Sequence, residues 1–215
     1  MEEDNSVFFC CSERALQDQK AQTSQALWSA AEALYDSLKH GAGDVTPLKD
    51  NIQAIVNASA KGDDLVETVL ATIPSVAVKR GVYSEDSLRE RFLKVEQCAW
   101  RVAGVPEGGA SLPKLLVAWL QSMLVIRASE PIPSSELNNE PFDPSSLNNY
   151  DILQRARYYV DRGDFDQALK YMNLLKGGAK AVSSDWMKET TVLLETQQAA
   201  HLLLAHASAS GMIYS

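Results

Sequence analysis

SLPKLLVAWLQSMLVI, residues 111–126, is the stretch that decides the fold, because no other segment of the chain is so apolar for so long. At helical pitch Leu112, Leu115, Leu116, Trp119, Leu120, Met123 and Leu124 share one broad face, with Lys114 and Gln121 on a narrow strip opposite. A face this wide is expected to be covered by other helices, which makes the segment the central buried helix of an all-α helical bundle. Sixteen residues of helix reach only roughly 24 Å. That is short of the roughly 30 Å of hydrocarbon in a bilayer, so a membrane span is the poorer reading.

Immediately before it, RGVYSEDSLRERFLKVEQCAWRVAGVP (residues 80–106) is expected to be a helix capped by Ser84, with Glu85 and Asp86 at its positive end. Leu88, Phe92, Val95, Ala99 and Val102 form its inward stripe. GVPEGGA then turns the chain back, so these two helices are expected to pair as an antiparallel hairpin. Residues 128–146 are rich in Ser, Pro and Asn without periodicity, which reads as a linker or surface excursion. Residues 147–162 and 164–176 make a second hairpin around Gly163, in which Leu153, Ala156 and Val160 face Phe165, Ala168, Leu169 and Met172. The last helix is expected over 184–210, with Trp186, Leu193, Ala200, Leu204 and Ala207 as its seam. Gln197 interrupts that seam and needs a polar partner or an edge position, since an unpaired buried amide costs about 1–3 kcal/mol. The expected bundle core is therefore Leu88, Phe92, Val95, Leu116, Trp119, Met123, Trp186 and Leu193.

Toward the N-terminus, residues 12–40 read as one long amphipathic, coiled-coil-like helix. Leu16, Thr23, Leu27, Ala30, Leu34 and Leu38 follow a 3-4 spacing. Trp28, Ala31 and Tyr35 widen that stripe, and a seam alone does not need the two aromatics. Another helix covers them, or a partner or lipid interface does. Thr46 before Pro47 reads as a cap of one short helix and Asp63 as the cap of the next, which stops at Pro74. The organisation expected is a disordered tail over 1–11, a contact region over 12–76 and a helical bundle over 77–215.

The formal net charge of -8 over 215 residues argues against nucleic acid as a general partner. Among the three cysteines, Cys98 falls mid-helix and is expected to pack as a small apolar group. His40, His201 and His206 are too scattered to hold a metal. A nucleophile elbow, Walker A loop, HExxH, CxxC pair or dinucleotide fingerprint is not found. EGGASLPK lacks the Gly-Lys-Ser/Thr ending of a phosphate loop, and Arg162-Gly163-Asp164 is explained by a helix end and the next cap. The chain is therefore expected to be no enzyme and to need no cofactor. A helical adaptor that binds a peptide through Tyr158, Tyr159 and Tyr171 is the alternative, because the hairpin around Gly163 has the look of one tetratricopeptide unit. No second copy follows at a 34-residue period.

RGVYSEDSLRERFLKV, LLVAWLQSMLVI, the hairpin at Gly163-Asp164 and SSDWMKETTVLLETQQ, in that order, resemble the C-terminal region of mitofilin. QALWSAAEALYDSLK resembles the stretch that joins that family's coiled coil to its terminal domain. The resemblance implies a scaffold subunit of the MICOS complex that organises cristae junctions on the intermembrane-space side of the mitochondrial inner membrane. It implies other MICOS subunits, a CHCH-domain subunit, a second copy of the chain and an anionic membrane surface as partners. By the same analogy Arg14, Lys20, Leu27, Trp28, Leu34, Tyr35 and Lys39 are the lipid- or partner-contact candidates. The family's import sequence and transmembrane anchor are not read in MEEDNSVFFCCS or after it.

Overall fold

A computed structural model describes residues 2–41, 45–60, 62–125, 132–133, 136, 138 and 143–214, with side chains between 14 and 212. The described residues form nine helices in the order α1 (Glu2–Lys39), α2 (Lys49–Ala58), α3 (Asp64–Thr72), α4 (Ser75–Arg80), α5 (Glu85–Arg101), α6 (Leu112–Leu124), α7 (Asn149–Asp161), α8 (Phe165–Asn173) and α9 (Gly177–Tyr214). Two-residue strands β1 (Val45–Thr46) and β2 (Val82–Tyr83) pair antiparallel. The chain is all-α, as its periodicity predicts. It divides into two compact units, one made of Met1–Gly41, Val45–Ser84 and Glu195–Ser215, the other built on Glu85–Leu194. The boundary expected at 76/77 thus falls at Ser84, and the far half of α9 belongs with the N-terminal helices.

In the first unit α1 buries Ser24, Leu27, Ala31, Leu34 and Leu38, a strict 3-4-3-4 seam. Ala30 and Leu16 fall outside it, and Leu16 is exposed. Ala199, Ala200, Leu203 and Ala207 of α9 and Ile55, Val66, Val69 and Ala77 of α2, α3 and α4 complete this core. Asn51 ties α2 to α1, donating to the Ala33 carbonyl at 3.2 Å and to Ser37 Oγ at 3.3 Å. Asp63 caps α3 as expected. Thr46 caps nothing, because it lies in β1 opposite Val82 and α2 starts later, after Leu48. Gly81 permits that pairing: its φ is +100° and a Cβ there would stand 2.3 Å from the Thr46 carbonyl oxygen. α1 is helical from Glu2, well before the expected start at Ser12, so residues 2–11 of the tail expected to be disordered lie in helix.

The second unit is centred on Trp186. Its ring lies 4.9 Å from Phe92 and 6.5 Å from Phe165, and its indole N–H donates to the Leu88 carbonyl at 2.9 Å. Leu88, Phe92, Trp186 and Leu193 are buried. Leu153, Ala156 and Val160 of α7 and Phe165, Ala168 and Met172 of α8 bury together across Gly163, which takes φ +79°. Val95 is only half-buried, a correction to the expected core. The inward stripe of α5 is Leu88, Phe92, Glu96 and Ala99, and Ala103 in the turn that follows is buried too. Glu96 occupies the inner position because Arg157 Nη1 meets it at 2.9 Å, and Arg157 also bonds Asp161 at 2.8 Å. Cys98, expected to pack inward, is exposed. Gln197 is buried within the α9 seam.

The larger correction concerns α6. Leu116, Trp119 and Met123, expected in the core, are 58%, 41% and 63% exposed. α6 buries Ala118 and Ser122 instead. A Cβ on Gly104 would stand 3.3 Å from the Ala118 Cβ, and Trp100 Nε1 donates to the Ser122 carbonyl at 3.1 Å. Small residues permit this close approach to the end of α5, which turns every large side chain of α6 outward. The packing yields a first prediction. Phe92→Ala is expected to cost about 3–5 kcal/mol. Arg157→Ala is expected to cost about 2 kcal/mol, below the 3–5 kcal/mol of a fully buried pair because the arginine is partly solvated. Asp161→Ala should stay within about 0.5 kcal/mol. Urea denaturation followed by circular dichroism measures all three.

Candidate functional site

The outward arc of α6 is a broad apolar surface. Leu112, Leu115, Leu116, Val117, Trp119, Leu120, Met123 and Leu124 are all exposed, Leu112 and Leu124 by 82% and 80%. Ser111 and Pro113 start the helix, Lys114 and Gln121 flank the arc, and no carboxylate lies on it. Eight large apolar side chains on one helix exceed the scattered exposure ordinary for a soluble surface. Such a surface excludes water from whatever covers it, and it offers no group for acid, base or nucleophilic chemistry.

The residues nominated on α1 separate into two sets. Leu27 and Leu34 are 4% and 0% exposed, packed into the seam of the first unit. Trp28 is 44% exposed, and Arg14 and Lys20 are exposed. Tyr35 is half-buried against His201, ring centroids 4.6 Å apart, and Lys39 Nζ lies 4.6 Å from the centre of the Tyr35 ring. Arg14, Trp28, Tyr35 and Lys39 fall on one side at helical pitch, and Lys20 is turned away from them.

Lys20 lines a cleft of about 230 Å³ in the first unit, together with Thr23, Ser24, Asp63, His206 and Ser210. Asp63 has two tasks there. Its Oδ1 accepts from the Leu65 and Val66 amides at 3.2 and 3.3 Å, and its Oδ2 meets His206 Nε2 at 2.9 Å. Burial opposes ionisation of Asp63, but the His206 contact and the amides outweigh it and hold the carboxyl below its ordinary value. Sequence reasoning found the cap and missed the histidine, because 143 positions separate the two.

The three tyrosines of the adaptor reading are engaged internally. Tyr159 stacks on Tyr171 at 5.5 Å, Tyr158 meets Tyr159 edge-on at 5.3 Å, and Arg162 lies 3.3 Å over the Tyr158 ring. Tyr171 donates to Glu136 Oε1. Arg155 Nε lies 3.1 Å from both oxygens of that carboxylate and Nη2 2.9 Å from Oε2. Burial pushes the Tyr171 hydroxyl upward and the Glu136 charge pushes it further, so it stays a donor. For Glu136 burial raises the value, while Arg155 and Tyr171 lower it more, to below the ordinary 4.5. Most of the stretch expected as a linker, 128–146, lies outside the described residues, and nothing in the spacing of Glu136 announced this contact.

Among the described residues no group of three His, Cys, Asp or Glu side chains is placed to hold a metal ion. No described helix is long and apolar enough to cross a membrane. Residues 10–208 match the family model for mitofilin, described as a mitochondrial inner membrane protein. A MICOS complex subunit Mic60 of Drosophila melanogaster is 53% identical over 208 residues, which are 94% of this chain and 28% of that protein. MICOS complex subunit MIC60-2 of Caenorhabditis elegans is 30% identical over 194 residues, 86% of this chain and 29% of that one. MICOS complex subunit mic60 of Neurospora crassa is 28% identical over 184 residues, 86% and 25% of the two. The chain thus spans less than a third of the length of these relatives. No solved structure matches it.

Two predictions follow from the geometry of these sites. Leu116→Ser and Met123→Ser are expected to change folding stability by no more than about 0.5 kcal/mol, whereas Ala118→Leu, on the inward side, is expected to cost about 1–3 kcal/mol by overpacking. Thermal or urea unfolding separates the two classes. Because the Glu136 carboxyl is held below its ordinary 4.5 in the fold, its contribution is fully present above that value and is lost as pH falls through the folded one. The urea midpoint is therefore expected to fall more steeply with acid, between about pH 5 and pH 3, in the native chain than in Glu136→Gln.

Proposed function

The chain belongs to the mitofilin family, and from that membership we propose that it is a non-catalytic scaffold module of the MICOS complex, seated on the mitochondrial inner membrane through the outward arc of α6. The observation that carries this reading is the inversion of α6, with Ala118 and Ser122 inward and eight large apolar residues outward. Helices that meet lipid are built this way: small residues let neighbouring backbones approach, and large apolar side chains face the surroundings. A protein partner of ordinary chemistry would be met by a polar rim and hydrogen-bonding anchors around the apolar patch. On the α6 arc the Trp119 indole is the single hydrogen-bond donor among the side chains.

Thirteen helical residues are about 20 Å long, too short to span, so the helix lies in the plane of the interface. The arc is about half exposed, which makes its transfer from water worth on the order of 1 kcal/mol per side chain and roughly 8 kcal/mol in all. Lys114 at its flank favours anionic headgroups. Trp28 with Arg14 on α1 of the first unit is a separate, smaller candidate for lipid contact. The same reading places the module on the intermembrane-space side at cristae junctions, with other MICOS subunits, a CHCH-domain subunit and a second copy of the chain as protein partners. Ion pairs and capping bonds account for Glu96, Arg157, Asp63, His206, Glu136 and Arg155, which leaves the scaffold role as the one the geometry serves.

Flotation with cardiolipin-containing vesicles tests the lipid contact. Leu116→Glu/Met123→Glu is expected to bind about 10-fold or more weaker than the native chain, since each charge opposes insertion by more than 1.4 kcal/mol. Equal flotation of both would refute the lipid seat. Sedimentation of the same pair in the absence of vesicles reports whether α6 instead seats a second copy.

A further inference from the structure

We propose that α7 and α8 carry a carboxylate-recognition socket, formed by Arg155 and Tyr171, which Glu136 fills in cis and which an acidic segment of a protein partner fills in its place. The ligand of this socket comes from outside the hairpin, 19 residues before Arg155 and 35 before Tyr171. Both of its oxygens are engaged, by Arg155 Nε and Nη2 and by the Tyr171 hydroxyl. The Arg155 and Glu136 side chains are 10% and 6% exposed. Two parallel N–H donors facing one carboxylate constitute the geometry by which arginine selects that group over a neutral amide.

The socket is preformed by the hairpin. Arg155 belongs to α7, where its Nη1 also reaches the Asp151 carbonyl at 3.5 Å. Tyr171 belongs to α8, and Tyr159 of α7 stacks on it with ring planes 16° apart. The connection that supplies Glu136 is attached differently. Of its described residues Ile132 is buried and Glu136 is held by the ion pair, while Pro133, Asn138 and Asp143 are exposed. Glu136 N–H bonds the Pro133 carbonyl at 3.1 Å, and the two anchored side chains, Ile132 and Glu136, are four positions apart.

Space is open beside the anchor. A cleft of about 250 Å³, lined by Gln167, Lys170, Tyr171 and Leu174, adjoins the socket on α8. An incoming segment can continue into it, past the Lys170–Asp166 pair at 2.6 Å. The recognised ligand is thus an acidic segment with an apolar residue one helical turn before a glutamate. Glu136 competes with it at the millimolar effective concentration of a tethered group, which keeps weak carboxylates out and lets a partner that also grips the cleft displace it. This inference stands apart from the membrane seat of α6, and its test contains no lipid.

The test uses the full chain and a fluorescein-labelled peptide of the sequence IPSSELN, residues 132–138, with a second peptide carrying Gln for Glu. Fluorescence anisotropy is expected to show the Glu136→Ala chain binding the Glu peptide about 10-fold or more tighter than the native chain does. The Gln peptide is expected to bind about 10-fold weaker than the Glu peptide, and Glu136→Ala/Arg155→Met to bind neither. Equal binding to native and Glu136→Ala chains, or equal binding of the Glu and Gln peptides, overturns the proposal. If circular dichroism shows that Glu136→Ala has lost helix, the same titration is read on Glu136→Gln, which keeps the size of the side chain and a weaker hold on the socket. Failure of that folded variant to gain affinity for the Glu peptide overturns it as well.

Discussion

The second unit depends on where the Trp186 indole can spend its N–H. A buried donor without an acceptor costs about 1–3 kcal/mol, so the ring can settle only where a free lone pair is offered at the right height. The Leu88 carbonyl offers it at 2.9 Å, and Phe92, one turn further along α5, then meets the ring at 4.9 Å. One hydrogen bond and one aromatic contact, a turn apart, set the register of α9 against α5. Phe165, the first residue of α8, closes the other side of the ring.

With α5 and α9 in register, α7 connects to its surroundings by charge on two sides. Arg155 and Arg157 are two positions apart, which places them about 200° apart around the helix. Arg157 reaches Glu96 of α5, and Arg155 reaches Glu136 of the connection that precedes α7. Each carboxylate would be costly where it lies without its arginine. The same feature that lets Glu96 replace Val95 on the inner stripe of α5 therefore also orients α7. What is left for Arg155 is a fixed, dry pair of donors, and that is the physical basis for treating it as a socket.

α6 contributes only Ala118 and Ser122 to the core and turns its large apolar side chains to the surface. Gly104, Ala118 and Ser122 bring it close to the end of α5, and the Trp100 indole binds it through a backbone carbonyl. No large side chain of α6 is needed for that attachment. The apolar content that would ordinarily close a bundle is available to the outside, on a chain whose relatives are named as MICOS complex subunits. The proposed membrane seat draws on this face, whose one polar side-chain group is the Trp119 indole.

The chain by itself determined the helix class, the hairpin at Gly163, the cap at Asp63, the 3-4 seam of α1 around Leu27, Leu34 and Leu38, and the inward positions of Leu88, Phe92, Trp186 and Leu193. These follow from local periods and turn chemistry, which a single helix or turn expresses whatever its neighbours. The family was legible too, since several blocks stand in the same order. Tertiary structure alone decided which face of α6 is covered, because periodicity measures how apolar a face is and not how closely a neighbour can approach it. Small residues won over large ones there, and Leu116, Trp119 and Met123 were turned out. The partners of Glu96, Glu136 and His206 were also hidden, as an ion pair or hydrogen bond between distant positions leaves no local pattern and exists only once the helices have packed.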